Sequence, residues 1–463
     1  MLRKLGKYFG WAIGVLLALG LVAYAVLVVI NLKDQPPAAE IAVLQSLQDL
    51  DTPVTSEDNS YLFVLGFSGP PDADPTTLGR ERHEWMELEK PDFEIGGDPL
   101  VDDYNFRSLR SEAVTELSST CSESEVECLR LLESSQETII QWLADEGCLL
   151  DRYYALTAMT EFREVLPLEV AAPLPSYHVV LEGQHLMIAD AWLSAEAGDA
   201  AKVRDALEQD LTYWRMVLRK ADSLITKMIA TAAIARHFKL GNLVLRRLPD
   251  AAKAAGVPPS WRVEISMADR SMRRCLAGEW SFFDKSIRRM AEDDEHPFDV
   301  WTGVSDSTTW DRIVWVALKP FWQYQDTSNR YARLMLDLGN AFDVAYEDIP
   351  YTIATVDNLQ QSAFKHRPRL YNLAGDIAMS GSFWKVSDYA VRVSDLEGIR
   401  RVALLVSELR AEGVTVDEAA QRVLASEIVD PYTGELFTWE DSRDAILFQG
   451  LERHERSRHE VIY

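Results

Sequence analysis

The chain has 463 residues, with 47 Lys or Arg and 73 Asp or Glu, so its formal net charge is −26 at pH 7. Residues 1–33 hold four basic and no acidic side chains, so residues 34–463 carry a net charge of −30. A body this acidic is repelled by phosphate backbones and by anionic lipid head groups. The charge therefore argues against nucleic acid as a partner and against flat adsorption on a membrane.

The first predicted element is an apolar stretch from Tyr8 to Leu32, about 25 residues without a charged side chain. At about 1.5 Å per residue a helix of this length covers roughly 37 Å, enough to cross a hydrocarbon core of about 30 Å. A secretory signal peptide is the alternative, because Ala23-Tyr24-Ala25 resembles a cleavage site. Apolar residues continue to Ile30, however, whereas signal h-regions run about 7–15 residues. The sequence favours a retained transmembrane anchor.

Basic residues flank the N-terminal side of this anchor. Arg3, Lys4 and Lys7 precede it, while only Lys33 follows closely, beside Asp34. This bias predicts a cytoplasmic N-terminus and a body on the other side of the membrane. We therefore expect a single-pass protein of the bacterial inner membrane with a periplasmic ectodomain.

Small residues recur every four positions along the anchor, at Gly6, Gly10, Gly14 and Ala18. This is the G-x-x-x-G spacing that lets two membrane helices approach closely, so the face could mediate self-association. Glycine is also common in membrane helices without any such role. Both interpretations stay open.

The four cysteines are too few for a disulfide scaffold in a chain of this length. Within one helix Cys121 and Cys128 would be about 10.5 Å apart, too far for a bridge. Ser122 and Glu125 have capping-box spacing, which places Cys121 just before a helix that contains Cys128. The chain can then fold back, and we predict a Cys121–Cys128 disulfide. The other two cysteines are either free or a second pair: Cys148 and Cys275.

The periodicity from Ser122 onward is helical almost throughout. It predicts helices at 123–145, 149–165, 177–197, 200–220, 221–245, 260–277, 279–293, 310–318, 323–347, 387–411 and 415–426. Within 200–220 one stripe has the spacing of a core face: Val203, Leu207, Leu211, Trp214 and Leu218. The segment Tyr61–Phe67 is short, apolar and bounded by turn residues, which predicts a strand.

The predicted fold is mainly α. One N-terminal transmembrane helix precedes a large all-α ectodomain of helical hairpins and bundles with minor short strands. The predicted divisions are 1–33, the cytoplasmic N-terminus and anchor; 34–121, an irregular linker and small α+β segment; 122–256, a helical subdomain; and 257–463, a second helical subdomain with an extended C-terminal tail.

No complete catalytic, cofactor-binding or metal-binding motif is present. His178, Glu182 and His185 share a predicted helix face and include E-x-x-H, but di-iron bundles need a second copy and two further glutamates. Gly66-Phe67-Ser68-Gly69-Pro70 departs from the register of a nucleophile elbow. The segment that begins at His83 has Glu87 where a zinc protease needs its second His. We therefore assign no site residue and expect no cofactor.

Aromatic residues are dense between Trp280 and Trp322. Five tryptophans fall within 43 residues: Trp280, Trp301, Trp310, Trp315 and Trp322. Other aromatic residues accompany them: Phe282, Phe283, Phe298, Phe321 and Tyr324. Nearby acids are Glu279, Asp284, Asp299 and Asp311. Such a cluster could form a sugar-stacking cleft with paired carboxylates, although dense aromatic residues are more typical of a core or an interface.

Four sequence segments, distributed along much of the chain, carry a family resemblance: the anchor, NSYLFVLGF at 59–67, LDRYY at 150–154 and DPYTG at 430–434. In these segments the chain resembles uncharacterised single-pass envelope proteins of Gram-negative bacteria. The resemblance implies topology and compartment and transfers no active site. We expect a non-enzymatic, membrane-tethered periplasmic protein that binds another envelope protein. The alternatives are a tethered glycan-active enzyme on an α-helical toroid and a membrane-bound immunity or inhibitor protein.

Overall fold

The structure is a computed structural model that describes residues 2–48, 58–88, 104–106, 110–164, 174–292, 308–364, 369–380, 385–453 and 457–463. These residues are mainly helical, as the sequence predicts. Up to residue 247 the helices are α1 (Leu2–Ile30), α2 (Ala39–Leu47), α3 (Ser60–Leu65), α4 (Pro75–Leu88), α5 (Glu112–Glu123), α6 (Glu125–Ser134), α7 (Gln136–Asp145), α8 (Gly147–Thr157), α9 (Tyr177–Glu196), α10 (Ala200–Lys220) and α11 (Leu224–Arg247).

The helices continue after residue 247 and end in a small sheet. They are α12 (Asp250–Gly256), α13 (Met267–Arg270), α14 (Arg273–Glu292), α15 (Thr309–Leu318), α16 (Tyr324–Ala341), α17 (Ile349–Phe364), α18 (Leu373–Ser380), α19 (Val386–Ala411) and α20 (Val416–Val423). Single 3-10 turns are Pro259–Arg262, Lys319–Phe321 and Tyr346–Asp348. The strands are β1 (Thr438–Glu440), β2 (Ala445–Gln449) and β3 (Arg458–Ile462).

The predicted strand at Tyr61–Phe67 is wrong, because this segment forms α3. Asn59 begins the helix, and its side chain accepts a hydrogen bond from the Tyr61 backbone N–H at 3.2 Å. Every residue of α3 is buried. A helix buried on all sides has no polar face, so its short apolar run looks like a buried strand.

The Cys121–Cys128 disulfide is present, with the two Cα atoms 4.4 Å apart. Its capping geometry differs from the prediction, since Cys121 lies inside α5 and Ser124 begins α6. The Ser124 side chain accepts from the Glu127 backbone N–H at 3.3 Å. This extended residue ends one helix and starts the next, which folds the chain back. Cys148 and Cys275 are free thiols.

The helices around α10 form the centre of the body. The predicted stripe on α10 is confirmed, because Val203, Leu207, Leu211, Trp214 and Leu218 are all buried. Neighbouring α11 and the 26-residue α19 are buried along most of their length. Buried side chains from both sides of residue 256 belong to one continuous hydrophobic core. The predicted subdomain divisions stay a prediction.

The extended C-terminal tail is an antiparallel sheet in the order β1-β2-β3. It packs on α19, where Gly398 leaves room for Phe448. A Cβ on Gly398 would lie only 2.1 Å from the Phe448 ring. Asp395 of the same helix accepts hydrogen bonds from the Leu451 backbone N–H at 2.9 Å and the Tyr432 hydroxyl at 2.7 Å.

Candidate functional site at the junction of anchor and body

The segment Tyr8–Ile30 of α1 is long and apolar enough to cross a membrane, and none of it is buried inside the body. The residues that follow it behave differently. Asn31 is 5% exposed, although it directly follows a helix whose side chains are almost all open. The point where the anchor ends is therefore also the point where the body begins to enclose the chain.

Asn31 is hydrogen-bonded to three residues of the body. Its side-chain Nδ2 donates to the Leu370 carbonyl oxygen at 2.9 Å, and its Oδ1 accepts from the Asn372 backbone N–H at 2.7 Å. Its backbone carbonyl accepts from Gln323 Nε2 at 2.6 Å. One short side chain and one carbonyl thus join the anchor to the starts of α16 and α18.

Asp34 caps a helix that begins about 290 residues later in the chain. Its two carboxylate oxygens accept from the backbone N–H groups of Gln325 at 2.8 Å and Asp326 at 3.1 Å. The first N–H groups of a helix lack intrahelical acceptors, and a negative charge there also complements the helix dipole. Asp34 thereby takes the place of a local N-cap for α16.

Asn329 holds the extended segment that links the anchor to α2. Its Nδ2 donates to the Pro36 carbonyl at 2.8 Å, and its Oδ1 accepts from the Ala38 backbone N–H at 2.8 Å. Gln325 Nε2 donates to the same Oδ1 at 2.9 Å and orients the amide. The linker therefore pairs with a side chain much as one strand pairs with another.

Ion pairs between α16, α18 and Arg369 lie next to these contacts. Arg369 pairs with Asp326 at 2.8 Å and with Asp376 at 3.4 Å, and Arg330 also bonds to Asp376. Burial alone would raise the pKa of Asp376, but hydrogen bonds from the Arg369 backbone and the Arg330 guanidinium lower it. Asn372 has a φ of 59°, which its short polar side chain tolerates.

A cleft of about 250 Å³ opens beside this junction. Its lining is Gln35, Pro36, Pro37, Ala38, Asp326, Asn329 and Arg333. Arg333 also pairs with Glu40 of α2 at 3.2 Å. Pockets for organic cofactors are usually larger and mainly apolar, so the size and polarity of this cleft suit water or a small polar group.

The residues of the E-x-x-H motif lie in α9 and enter a salt-bridge cluster. Glu182 accepts from Arg110 at 2.9 Å and from Ser118 at 3.2 Å, while His185 Nδ1 lies 3.9 Å from it. Burial lowers the pKa of His185. Burial alone would raise the pKa of Glu182, but His185 and Arg110 lower it. His178, one turn earlier in α9, is exposed.

Across the described ranges, no group of three or more His, Cys, Asp or Glu side chains is arranged to hold a metal ion.

The turn at Gly66–Pro70 follows a helix rather than a strand, and Arg152 holds it. The Arg152 guanidinium donates to the carbonyls of Phe67 at 2.9 Å and Gly69 at 2.6 Å. Ser68 is fully buried within the turn. A nucleophile needs an exposed hydroxyl, so this turn has the geometry of a packed loop. Arg152 belongs to the LDRYY segment, so that segment has a structural role in holding the turn.

Sequence analysis missed a buried polar network around Asp210. Tyr153 donates to its carboxylate, and His237 Nδ1 lies 2.6 Å from Oδ2. Trp261 Nε1 donates to His237 Nε2 at 2.8 Å, so Nδ1 carries the proton of a neutral ring and donates to Asp210. Asp210, His237 and Trp261 are all buried. With Tyr153, they join α8, α10, α11 and the turn Pro259–Arg262 in the interior of the body. Polar residues on otherwise apolar helix faces were the available signal.

The aromatic cluster separates into buried and exposed members. Trp280 is buried and donates to Ser328 Oγ at 3.2 Å, and the rings of Trp315 and Trp322 meet edge to face at 5.8 Å. Trp310 is 69% exposed. Trp301, Phe298 and Asp299 lie outside the described residues.

The other three acids of this cluster bind different helices. Glu279 accepts from the Leu224 backbone N–H at 3.0 Å, and burial raises its pKa. Asp284 accepts from Ser328 Oγ. Asp311 accepts from the Thr308 backbone N–H at 2.9 Å and forms a capping box at the start of α15. Each of these acids therefore has a helix-end or interhelical role.

On the anchor, a Cβ built on Gly10 or Gly14 meets no atom within 4 Å, so this face is open. Self-association through it stays a prediction.

No protein-family model, curated protein or solved structure matches the chain.

Proposed function

We propose that the chain is a single-pass inner-membrane protein that holds an acidic, non-enzymatic helical body in a fixed orientation at the periplasmic surface, where the body binds another envelope protein. The observation that carries this proposal is the junction of Asn31, Asp34 and Asn329. It joins the anchor to the body through hydrogen bonds between residues about 290 positions apart.

A tether that serves only to localise a domain needs no such contacts. Flexible linkers leave a domain free to sample orientations, and their length and composition set its reach. Here three side chains bind backbone groups across the junction: the amides of Asn31 and Asn329 and the carboxylate of Asp34. An oriented body presents the same surface to every neighbour in the membrane, which suits a role in assembly.

Charge and cysteine chemistry support the compartment and the kind of partner. The Cys121–Cys128 disulfide is of the type that persists in the periplasm and other oxidising compartments. The net charge of −30 on residues 34–463 favours a partner with a basic surface, because complementary charge speeds association and excludes acidic competitors. A basic toxin would meet the same requirement, so identification of the partner separates assembly from immunity.

The test is affinity purification of the full chain after crosslinking in cells, with Asp34→Ala and Asp199→Ala compared. Asp199 is the matched control, because it also caps a helix, α10, but far along the chain from the junction. We expect one stoichiometric partner, captured less well by the Asp34→Ala chain and equally well by the Asp199→Ala chain. When the purification is repeated without the crosslinker, capture should weaken in about 1 M salt, where the screening length falls to about 3 Å. Recovery of this protein alone, under several detergents, would contradict the proposal.

A further inference from the structure

Helix α15 (Thr309–Leu318) carries an apolar stripe that the rest of the described body does not cover. Trp310, Ile313, Val314 and Ala317 occupy positions i, i+3, i+4 and i+7, which is one face of a helix. Trp310 is 69% exposed and Ile313 is 56% exposed. Val316, beside the stripe, is 70% exposed. The opposite face holds Trp315, which is buried against Trp322.

The C-terminal end of α15 contacts the anchor. The Tyr24 hydroxyl donates to the Ala317 carbonyl at 3.2 Å, and the Tyr24 ring meets Phe321 edge to face at 5.3 Å. Tyr24 precedes the end of the apolar span, Ile30, by six residues, or about 9 Å along the helix axis. The body therefore reaches the anchor within its apolar span rather than only at its end.

Further exposed apolar side chains lie on the segments around this contact. Leu370, whose carbonyl accepts from Asn31, is 65% exposed. Ile377, on α18, is 58% exposed. The segment Thr309–Phe321 carries one acid and two bases, in contrast to the strongly acidic body. Its single acid, Asp311, is engaged in the capping box.

We propose that α15 is a second membrane-contact element, which lies along the outer-leaflet interface with its apolar stripe among the lipid acyl chains. The occupant of this face is lipid, because the face is continuous with the anchor and meets it about 9 Å inside the span. Interfacial amphipathic helices bury their apolar face by about 5–10 Å, which matches this depth. Arg312 and Lys319 are the bases of the segment, and their positive charge complements anionic lipid head groups. The inference rests on the membrane-spanning anchor of the proposed function.

The test places one environment-sensitive fluorophore at a time on the full chain in lipid nanodiscs. The labelled positions are Val316→Cys on α15, Leu16→Cys in the anchor and Leu424→Cys as the matched control. Leu424 is an exposed apolar residue, 67% exposed, that follows α20. Each variant also carries Cys148→Ser, because Cys148 is partly accessible while Cys275 is buried. All labelled side chains are exposed, so the substitutions should leave the fold intact, as circular dichroism can verify.

We expect blue-shifted emission at positions 316 and 16, and several-fold stronger quenching there by spin-labelled lipids than at position 424. Quenching at 16 with solvent-like emission at 316 would overturn the inference and leave the anchor in place. A label at 316 that is shielded only at high protein-to-lipid ratio would identify a second copy as the occupant and overturn it as well. Absence of lipid quenching at 16 would refute the spanning anchor, and with it the proposed function.

Discussion

Replacement of Asn31 by Ala should release the anchor from the body. The substitution removes the acceptor of the Asn372 backbone N–H and the donor to the Leu370 carbonyl. Asn372 is fully buried, so its N–H would lose its partner without gaining water. An unsatisfied buried donor costs about 1–3 kcal/mol, and a lost neutral hydrogen bond about 1 kcal/mol. We therefore expect the junction to be weakened by about 2–4 kcal/mol.

Amide hydrogen exchange measures this weakening directly. At about 1.4 kcal/mol per factor of ten, the weakening corresponds to roughly 30- to 700-fold faster exchange in peptides that cover residues 369–380. The full chain in nanodiscs is compared with Asn358→Ala, the same substitution at an exposed position of α17. Unchanged exchange at 369–380 in the Asn31→Ala chain would refute the role assigned to Asn31. Equal acceleration in both variants would refute it too.

Three further substitutions test the Asp210 network, the protonation of Glu125 and the small-residue face of the anchor. Asp210→Ala should lower the free energy of unfolding by about 3–5 kcal/mol, because it leaves several buried donors without their acceptor. Thermal unfolding at a fixed detergent concentration measures this loss of stability. A loss below about 1 kcal/mol would contradict the prediction. Burial raises the pKa of Glu125 to about 7, so the folded state binds its proton more tightly than the unfolded state, and stability falls as the pH rises from about 5 through 7. Glu125→Gln should flatten that slope in denaturant titrations, and an unchanged slope would exclude Glu125 as its source. Gly14→Leu should reduce anchor-mediated crosslinking between copies without altering membrane insertion, whereas undiminished crosslinking would show that this face is not used.

Local pattern accounts for the parts of the fold that sequence predicted well. The α10 stripe from Val203 to Leu218 was visible because one face of that helix is buried and the other is solvated. The disulfide was predicted because a helix start between Cys121 and Cys128 lets the chain fold back, whereas within one helix the two cysteines would be too far apart to bond. The N-cap of α6 was predicted at Ser122, two residues before its position at Ser124. Both serines can accept a hydrogen bond, and each is followed three positions later by a glutamate. Only the packing of α5 against α6 decides between them.

Local pattern fails where burial is complete or contacts are distant. Segment Ser60–Leu65 is buried on all sides, so it has no alternation of polar and apolar residues with helical or strand periodicity. The junction uses Asn31, Asp34 and Asn329, polar residues without a motif, whose partners lie about 290 positions away in the sequence. Trp310 was noticed as part of an aromatic cluster, but its exposure could be known only from the position of α15 beside the anchor.

A distance distribution between the anchor and the body shows whether the two form one oriented unit. Spin labels on Leu16→Cys in the anchor and Tyr351→Cys on α17 occupy exposed positions, with Cys148→Ser removing the accessible native thiol. In nanodiscs we predict one narrow distance distribution, which broadens when Asn31→Ala and Asp34→Ala are added. A broad distribution in the otherwise unaltered chain, or a narrow one that both substitutions leave unchanged, would contradict an orientation fixed by Asn31 and Asp34.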